Sequence, residues 1–326
     1  MNAYILVIDG GTTNVRVTLL NGQGEIISVI QKEAGVSHTA VDGHNGRLKN
    51  ALQEAIHTHM EQYQLAAGDI KRCIAYGMIT SREGLLEIPH CIAPVDESGL
   101  RLAVVCRIFP EIAPFPVSFI PGVRNFSGQV DLENFPRMDM MRGEEAEAIG
   151  LWQLAKPCRD CVFVLPGSHN KFVRMDAQGH ILGCMTTMSG EFLSVLTHHT
   201  ILSGAVGHAF SSEETYDREM ALAGFYEAER IGFGRAAFAG RILSTLGKLP
   251  PDKIASYLLG AVLQTDARAL KTYNEIGAPL YIAGKEPVKC ALLDVLDAAG
   301  FEGVTAVSKD ACARMGLEGA LRIAGV

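Results

Sequence analysis
An order of secondary-structure elements met twice along the chain constrains the fold more than any other feature. The apolar run Tyr4 to Ile8, the alternating Val15, Val17 and Leu19, and the stretch Glu25 to Gln31 read as three antiparallel strands, the last two joined by the turn Asn21-Gly22-Gln23-Gly24. A helix follows from about Gly46 to Tyr63, where Leu48, Leu52, Ala55, Ile56 and Met60 recur at helical spacing, and Cys73 to Tyr76 reads as the next strand. Val117 to Ile120 is a further short strand. From Cys161 the order returns in looser form. Cys161 to Leu165 is a strand, Lys171 to Met175 and His180 to Met185 form a hairpin around Asp176-Ala177-Gln178-Gly179, and Ser189 opens a helix. A helix-rich stretch from about Glu213 to Glu275 precedes strands at Tyr281 to Ala283 and Val304 to Val307, with a helix from about Val288 to Ala299 between them. The last helix is expected from about Asp310 to Ile323. A repeated mixed α/β order in 326 residues predicts two domains. No low-complexity linker separates them, so the boundary is placed by motif order near Met140, giving domains 1–140 and 141–326.

Composition narrows the function classes. With 48% hydrophobic and 20% charged residues the chain can bury sizeable cores. A net charge of -7 and a pI near 5.8 provide no broad field for nucleic acid or anionic lipid, and neither partner is expected. No apolar stretch reaches the roughly 20 residues of a spanning helix, and Tyr4 to Ile8 is too short for a signal-peptide core and lacks basic residues before it. Eight scattered cysteines with no framework spacing fit a reducing cytoplasm, the expected location. Cys158-x-x-Cys161 lacks the second ligand pair of a structural zinc site and reads as the entry to a buried strand.

Two loops carry the chemistry. The first, Asp9-Gly10-Gly11-Thr12-Thr13-Asn14, follows a hydrophobic strand; its glycines allow close backbone approach to a phosphate, and Thr12, Thr13 and Asn14 add neutral donors. Asp9 at the strand end can hold magnesium, directly or through water. An Asx-type hairpin turn is the plain alternative. The second, Pro166-Gly167-Ser168-His169-Asn170-Lys171, follows its own strand in the same way. There Ser168 and Asn170 can donate to phosphate oxygens, and Lys171 can neutralise charge during phosphoryl transfer. A hydrolase built on Ser168 and His169 is set aside, since adjacent side chains on an extended segment point apart and no Gly-x-Ser-x-Gly elbow is present. Neither a P-loop nor a dinucleotide fingerprint is satisfied.

Between the loops, Arg142-Gly143-Glu144-Glu145-Ala146-Glu147 opens a helix whose first turn is rich in acids. Glutamates there can simply offset the helix dipole. One of them can instead accept a proton from an attacking sugar hydroxyl; Glu144 and Glu145 diverge by about 100° on a helix, so only one of the two does so.

This order of motifs resembles the actin, sugar kinase and Hsp70 superfamily. The resemblance implies an α/β chain of two ribonuclease H-like domains with a nucleotide cleft between them, the actin-like ATPase fold. Ala283-Gly284-Lys285 matches its adenosine-side glycine motif, and the last helix, with small Ala311, Gly316 and Ala320, matches its second connecting helix. Within the superfamily, Gly77-Met78-Ile79-Thr80-Ser81-Arg82, Met141-Arg142-Gly143-Glu144-Glu145, Leu165-Pro166-Gly167-Ser168-His169 and Met188-Ser189-Gly190-Glu191-Phe192 look like the 2-dehydro-3-deoxygalactonokinase family.

That resemblance implies ATP- and magnesium-dependent phosphorylation of a small sugar acid, 2-dehydro-3-deoxy-D-galactonate, at its terminal hydroxyl. Glu144 stands where related kinases carry a catalytic aspartate, with Glu145 beside it as the alternative. Asp9, Gly10, Gly11, Thr12, Thr13, Asn14, Gly167, Ser168, His169, Lys171, Gly284 and Lys285 are the expected nucleotide-binding residues, with Asp9 at the metal. The substrate carboxylate calls for arginine, and Ser81, Arg82, Arg124 and Arg142 are the expected sugar-acid contacts. A homodimer is compatible with this reading. The alternatives are a kinase of another sugar or sugar acid, an ATPase or polyphosphatase, and a non-catalytic sugar-sensing protein on the same fold. DNA-binding relatives carry an added winged-helix segment, for which a first strand at Tyr4 leaves no room.

Overall fold
The computed structural model describes residues 3–326, which divide into two compact units. The first comprises Met1–Lys156, Gln178–Gly183 and Ala313–Val326, and the second Pro157–Ala177 and Cys184–Cys312. Among the described residues no helix is long and apolar enough to cross a membrane.

The first unit is built on a six-stranded sheet. Strands β1 (Tyr4–Gly10), β2 (Val15–Asn21) and β3 (Ile26–Lys32) are the expected antiparallel meander. Helices α1 (Val36–Asp42) and α2 (Gly46–Gln62) then lead to β4 (Ile70–Gly77), which pairs parallel to β1. Beyond these lie β5 (Cys91–Ile92), α3 (Glu97–Leu102), β6 (Val105–Arg107), β7 (Val117–Phe119), β8 (Val123–Arg124), β9 (Met140–Met141) and α4 (Glu144–Ala155). The sheet order is β3-β2-β1-β4-β7-β6. Because β1 is central and covered on both faces, it reads as a continuous apolar run and not an alternating one. Helix α2 lays Leu48, Leu52, Ala55 and Ile56 against Leu6, Ile8, Val17 and Leu19 in one core. Burial of each large aliphatic there is worth about 1.5–3 kcal/mol, which holds a helix whose first turn has no side-chain cap.

β10 (Cys161–Leu165), β11 (Asn170–Met175), β13 (Leu280–Ile282) and β14 (Val304–Ala306) of the second unit, with β12 (Ile181–Thr187), which counts with it from Cys184 onward, form a sheet of order β12-β11-β10-β13-β14. It repeats the β3-β2-β1-β4-β7 part of the first sheet, with β10 antiparallel to β11 and parallel to β13. The duplication legible in the element order is therefore real, and the fold is the actin-like ATPase fold. Helices α5 (Ser189–His198), α6 (Arg218–Ile231), α7 (Phe233–Thr245), α8 (Pro251–Tyr273) and α9 (Val288–Ala298) complete this unit. Leu259, Leu263 and Leu270 of α8 share a core with Val162 and Val164 of β10.

The last helix, α10 (Lys309–Ala324), counts with the first unit from Ala313 onward. Its backbone touches that of α4: a Cβ added at Gly319 would lie 1.8 Å from the Ala146 carbonyl oxygen, and one at Gly150 would lie 1.9 Å from that of Met315. Cys161 enters a buried strand as expected, whereas Cys158 stays exposed in the turn before it.

Candidate active site
In the first unit three turns converge where β1 and β4 end side by side. A Cβ at Gly10 would lie 2.6 Å from Ile79 Cβ, one at Gly77 would lie 2.6 Å from the Gly10 carbonyl oxygen, and one at Gly143 would lie 3.3 Å from Gly77 Cα. Gly77 and Gly143 also have φ of 86° and 112°, values that side chains resist. The first loop, the Met78–Thr80 turn and the start of α4 thus meet at backbone distance.

The first loop is held from behind by α1. Gly35 N donates to Thr13 O at 2.8 Å, Ser37 N to Thr12 O at 2.9 Å and Val36 N to Gly11 O at 3.3 Å. With these carbonyls turned toward α1, the side chains of Thr12, Thr13 and Asn14 stand exposed. Asp9, at the strand end, is 3.4 Å from Arg16. Crowding by the surrounding protein pushes its carboxyl above the usual carboxylate range, and the Arg16 guanidinium offsets part of that.

The acidic start of α4 faces the same place. Glu144 Oε2 accepts from Arg142 N at 3.1 Å, while both oxygens of Glu145 accept from Gly143 N at 2.9 and 2.8 Å. Glu145 is fully buried, so it caps its own helix from inside. Burial, followed by the Glu144 charge, pushes its carboxyl up to about 8. Glu147 is pushed to about 8 as well, by burial and then by Glu144 and Asp9. Tyr76 lies opposite Asp9 in the β1–β4 register, and its phenol is raised by burial, then by Asp9 and Glu147. Asp9, Glu144, Glu145, Glu147 and Tyr76 therefore form one coupled cluster. Sequence reasoning missed Glu147 and Tyr76 as members; the signal for Glu147 was its place three residues after Glu144, on the same helix face.

The small sheet β5-β8-β9 gathers the expected sugar-acid residues. Val123 pairs with both Cys91 and Met141, which sets His90, Arg124 and Arg142 on neighbouring strand ends. Arg142 is braced inward: Nη1 donates to Thr80 Oγ1 at 2.9 Å and Nη2 to the Ile88 carbonyl at 2.6 Å, with His90 Nδ1 at 3.4 Å. Burial lowers its guanidinium from the usual range, and Glu145 and Glu87 act against this. Ser81 Oγ and Arg124 Nε, by contrast, are buried and without a hydrogen-bond partner among the described residues. A buried polar atom left so costs roughly 1–3 kcal/mol, which a polar ligand would recover. Arg82 is exposed at the corner of the turn closed by Gly84 N on Ser81 O.

In the second unit the loop Pro166–Lys171 is shaped by its neighbours. Asn170 Oδ1 accepts from Gly167 N at 3.0 Å and its Nδ2 donates to Asp266 Oδ2 at 2.7 Å, so the amide of Asn170, expected to donate to phosphate, is spent on the protein. Lys171 is buried and donates to Thr186 Oγ1 at 2.6 Å. Gly167, Ser168 and His169 are exposed, with His169 Nε2 3.3 Å from Glu191 Oε1. Gly284 adjoins the loop, since a Cβ there would lie 2.4 Å from Pro166 Cγ; Lys285 beside it is exposed.

Among the described residues no three His, Cys, Asp or Glu side chains are arranged to hold a metal ion. Magnesium uses one or two carboxylates completed by phosphates and water. Asp9, crowded by other acids, suits such a cation.

Residues 9–320 match the model of the 2-keto-3-deoxy-galactonokinase family. The 2-dehydro-3-deoxygalactonokinase of Escherichia coli strain K12 is 24% identical over 327 residues, covering 97% of each chain. A probable 2-dehydro-3-deoxygalactonokinase of Rhizobium meliloti strain 1021 is 25% identical over 350 residues, covering 98% of this chain and 97% of its own. The crystal structure of a proposed 2-dehydro-3-deoxygalactonokinase from Sinorhizobium meliloti shares the fold, with a TM-score of 0.76, 21% identity and 98% of both chains covered.

Proposed function
Because the chain belongs to the 2-keto-3-deoxy-galactonokinase family and is a kinase, we propose that it moves the γ-phosphoryl group of ATP to the C6 hydroxyl of 2-dehydro-3-deoxy-D-galactonate, in galactonate catabolism. The observation that carries this reading is the span of the family match, which takes in both phosphate loops, the Gly77–Arg82 turn and the start of α4.

Glu144 acts as the base. It takes the hydroxyl proton as the new O–P bond forms and the bond from Pγ to the ADP oxygen breaks. Its neighbours support this role: burial pushes Glu145 and Glu147 up to about 8, so at neutral pH they add little negative charge beside it. Ser81 and Arg124 bind the sugar acid through the polar atoms that lack partners, with Arg82 as a second cation for its carboxylate. Arg142 acts through Thr80 and Ile88, holding the Ser81 turn against α4. In the first unit the donors of Thr12, Thr13 and Asn14 suit ATP phosphates, with Gly10 and Gly11 allowing close backbone approach; in the second, Ser168 and His169 do the same, with Gly167 as the close-approach position. Lys171 places positive charge beneath its loop, and Gly284 and Lys285 take the adenosine side. Magnesium at Asp9 would neutralise phosphate charge when bound.

Phosphorus NMR of the product, over a panel of sugar acids and neutral sugars supplied with ATP and magnesium, tests the reading. A new phosphomonoester coupled to the C6 protons of 2-dehydro-3-deoxy-D-galactonate is the expected outcome. Faster turnover of a neutral sugar would overturn it.

A further inference from the structure
The second phosphate loop rests on a carboxylate that no reading along the chain singled out. Asp266, in the middle of α8, is 0% exposed, and its two oxygens are shared among side chains that are themselves only 2% exposed. Ser189 Oγ, at the first residue of α5, donates to Oδ1 at 2.5 Å; Asn170 Nδ2, at the first residue of β11, donates to Oδ2 at 2.7 Å. No arginine or lysine is paired with Asp266 among the described residues. A buried carboxylate without a cation is a costly way to fill space, and an apolar side chain would fill it at lower cost. What the carboxylate supplies is direction.

Burial raises the Asp266 carboxyl and the side-chain donors around it act against this; both of its oxygens are acceptors here. Asn170 must therefore turn its NH2 toward Asp266, which leaves its carbonyl oxygen for Gly167 N at 3.0 Å. The same carboxylate fixes Ser189, and the residues after it complete the brace. Glu191 N donates to Ser168 O at 2.9 Å, and a Cβ at Gly190 would stand 2.1 Å from the Gly167 carbonyl oxygen. Gly167 and Ser168 are thus held from two sides, and both sides run back to one residue.

We propose that Asp266 is a positioning residue that sets the Pro166–Lys171 loop in its phosphate-receiving shape through Asn170 and Ser189. Its effect on catalysis rests on the reading of that loop as nucleotide-binding, whereas its effect on the loop does not.

A reciprocal exchange tests it on the full chain, read by hydrogen exchange of the loop and by steady-state kinetics. Asn170→Asp removes the NH2 donor at the 2.7 Å contact and puts a second carboxyl there, so the pair must take up a proton or move apart. Gly167 should then exchange about tenfold faster or more, and the KM for ATP should rise about tenfold with the KM for the sugar acid unchanged. Adding Asp266→Asn reverses the donor and acceptor of that contact while leaving a carboxylate oxygen for Gly167 N, so the double variant should recover both values to within about threefold. Ser189→Ala, which removes one donor and no charge, should show the same change in smaller measure.

The proposal is overturned if a folded Asn170→Asp exchanges like the wild type, or if the double variant is no better than the single one. If Asn170→Asp does not fold, the double variant decides: recovery of fold and loop protection supports the brace, and failure to fold overturns it. Altered exchange with an unchanged KM for ATP upholds the brace and removes the loop from the nucleotide site.

Discussion

Arg142 Nη1 donates to Thr80 Oγ1 at 2.9 Å, joining the segment that leads into α4 to the turn that carries Ser81. The same guanidinium donates to the Ile88 carbonyl at 2.6 Å. Lysine can reach at most one of these acceptors in similar geometry. Arg142→Lys should therefore lose about 1–3 kcal/mol of stability in denaturant unfolding. It should also raise the KM for the sugar acid about tenfold, leaving the KM for ATP within about twofold. Equal increases in both KM values would show that Arg142 supports the whole unit and not the Ser81 turn.

Ser81 makes the opposite prediction about stability. Its hydroxyl is buried without a partner, so Ser81→Ala removes a desolvation cost and should leave the free protein equally stable or up to about 1 kcal/mol more stable. The same variant should raise the KM for the sugar acid. Calorimetric melting and kinetics on one preparation check both signs; a loss of stability with an unchanged KM would make Ser81 a packing residue.

The acids of α4 predict a pH effect. Burial, and then the charges of Glu144 and Asp9, push the Glu147 carboxyl up to about 8 in the folded protein, from about 4.5 when unfolded. Its raised value favours the folded state fully below its unfolded range, and that contribution is lost as pH rises through about 8. Glu147→Gln removes the slope. In urea unfolding the variant should gain on the wild type steadily from about pH 5 to 8, and parallel curves would contradict the burial of this carboxyl.

Much of this fold was legible because its strands and long helices carry periodic signals. The alternation of Val15, Val17 and Leu19 and the helical spacing of Leu48, Leu52 and Ile56 sufficed for β2 and α2. Helix α1 was not legible: seven residues between Gly35 and Gly43 hold too little pattern, and it is held by the Gly11, Thr12 and Thr13 carbonyls, a tertiary cause. The two-residue strands β5, β8 and β9 fail for the same reason, although they gather Arg124 and Arg142. The two loops were found from their glycines and hydroxyls, but not which polar groups turn inward. Lys171 and Asn170 sit on a strand buried on both faces, where alternation no longer separates inside from outside. Asp266 left a readable trace, a lone acid three residues after Leu263 and four before Leu270 on the apolar face of α8.

Glu144 is the proposed base. Glu144→Gln keeps the shape of the side chain and removes its capacity to take a proton, so kcat should fall about 10²-fold or more with both KM values within a few fold. Single-turnover quench measurements check this; a kcat within a few fold of wild type would move the base elsewhere in the cluster.

Phosphoryl transfer is proposed to go to the sugar acid and not to water. ADP release by the purified chain with ATP and magnesium, followed with and without 2-dehydro-3-deoxy-D-galactonate, tests this most directly. One ADP for each sugar acid consumed, with release at a few per cent of that rate or less in its absence, is the predicted result. ADP release at the same rate whether or not the sugar acid is present would contradict it and leave an ATPase.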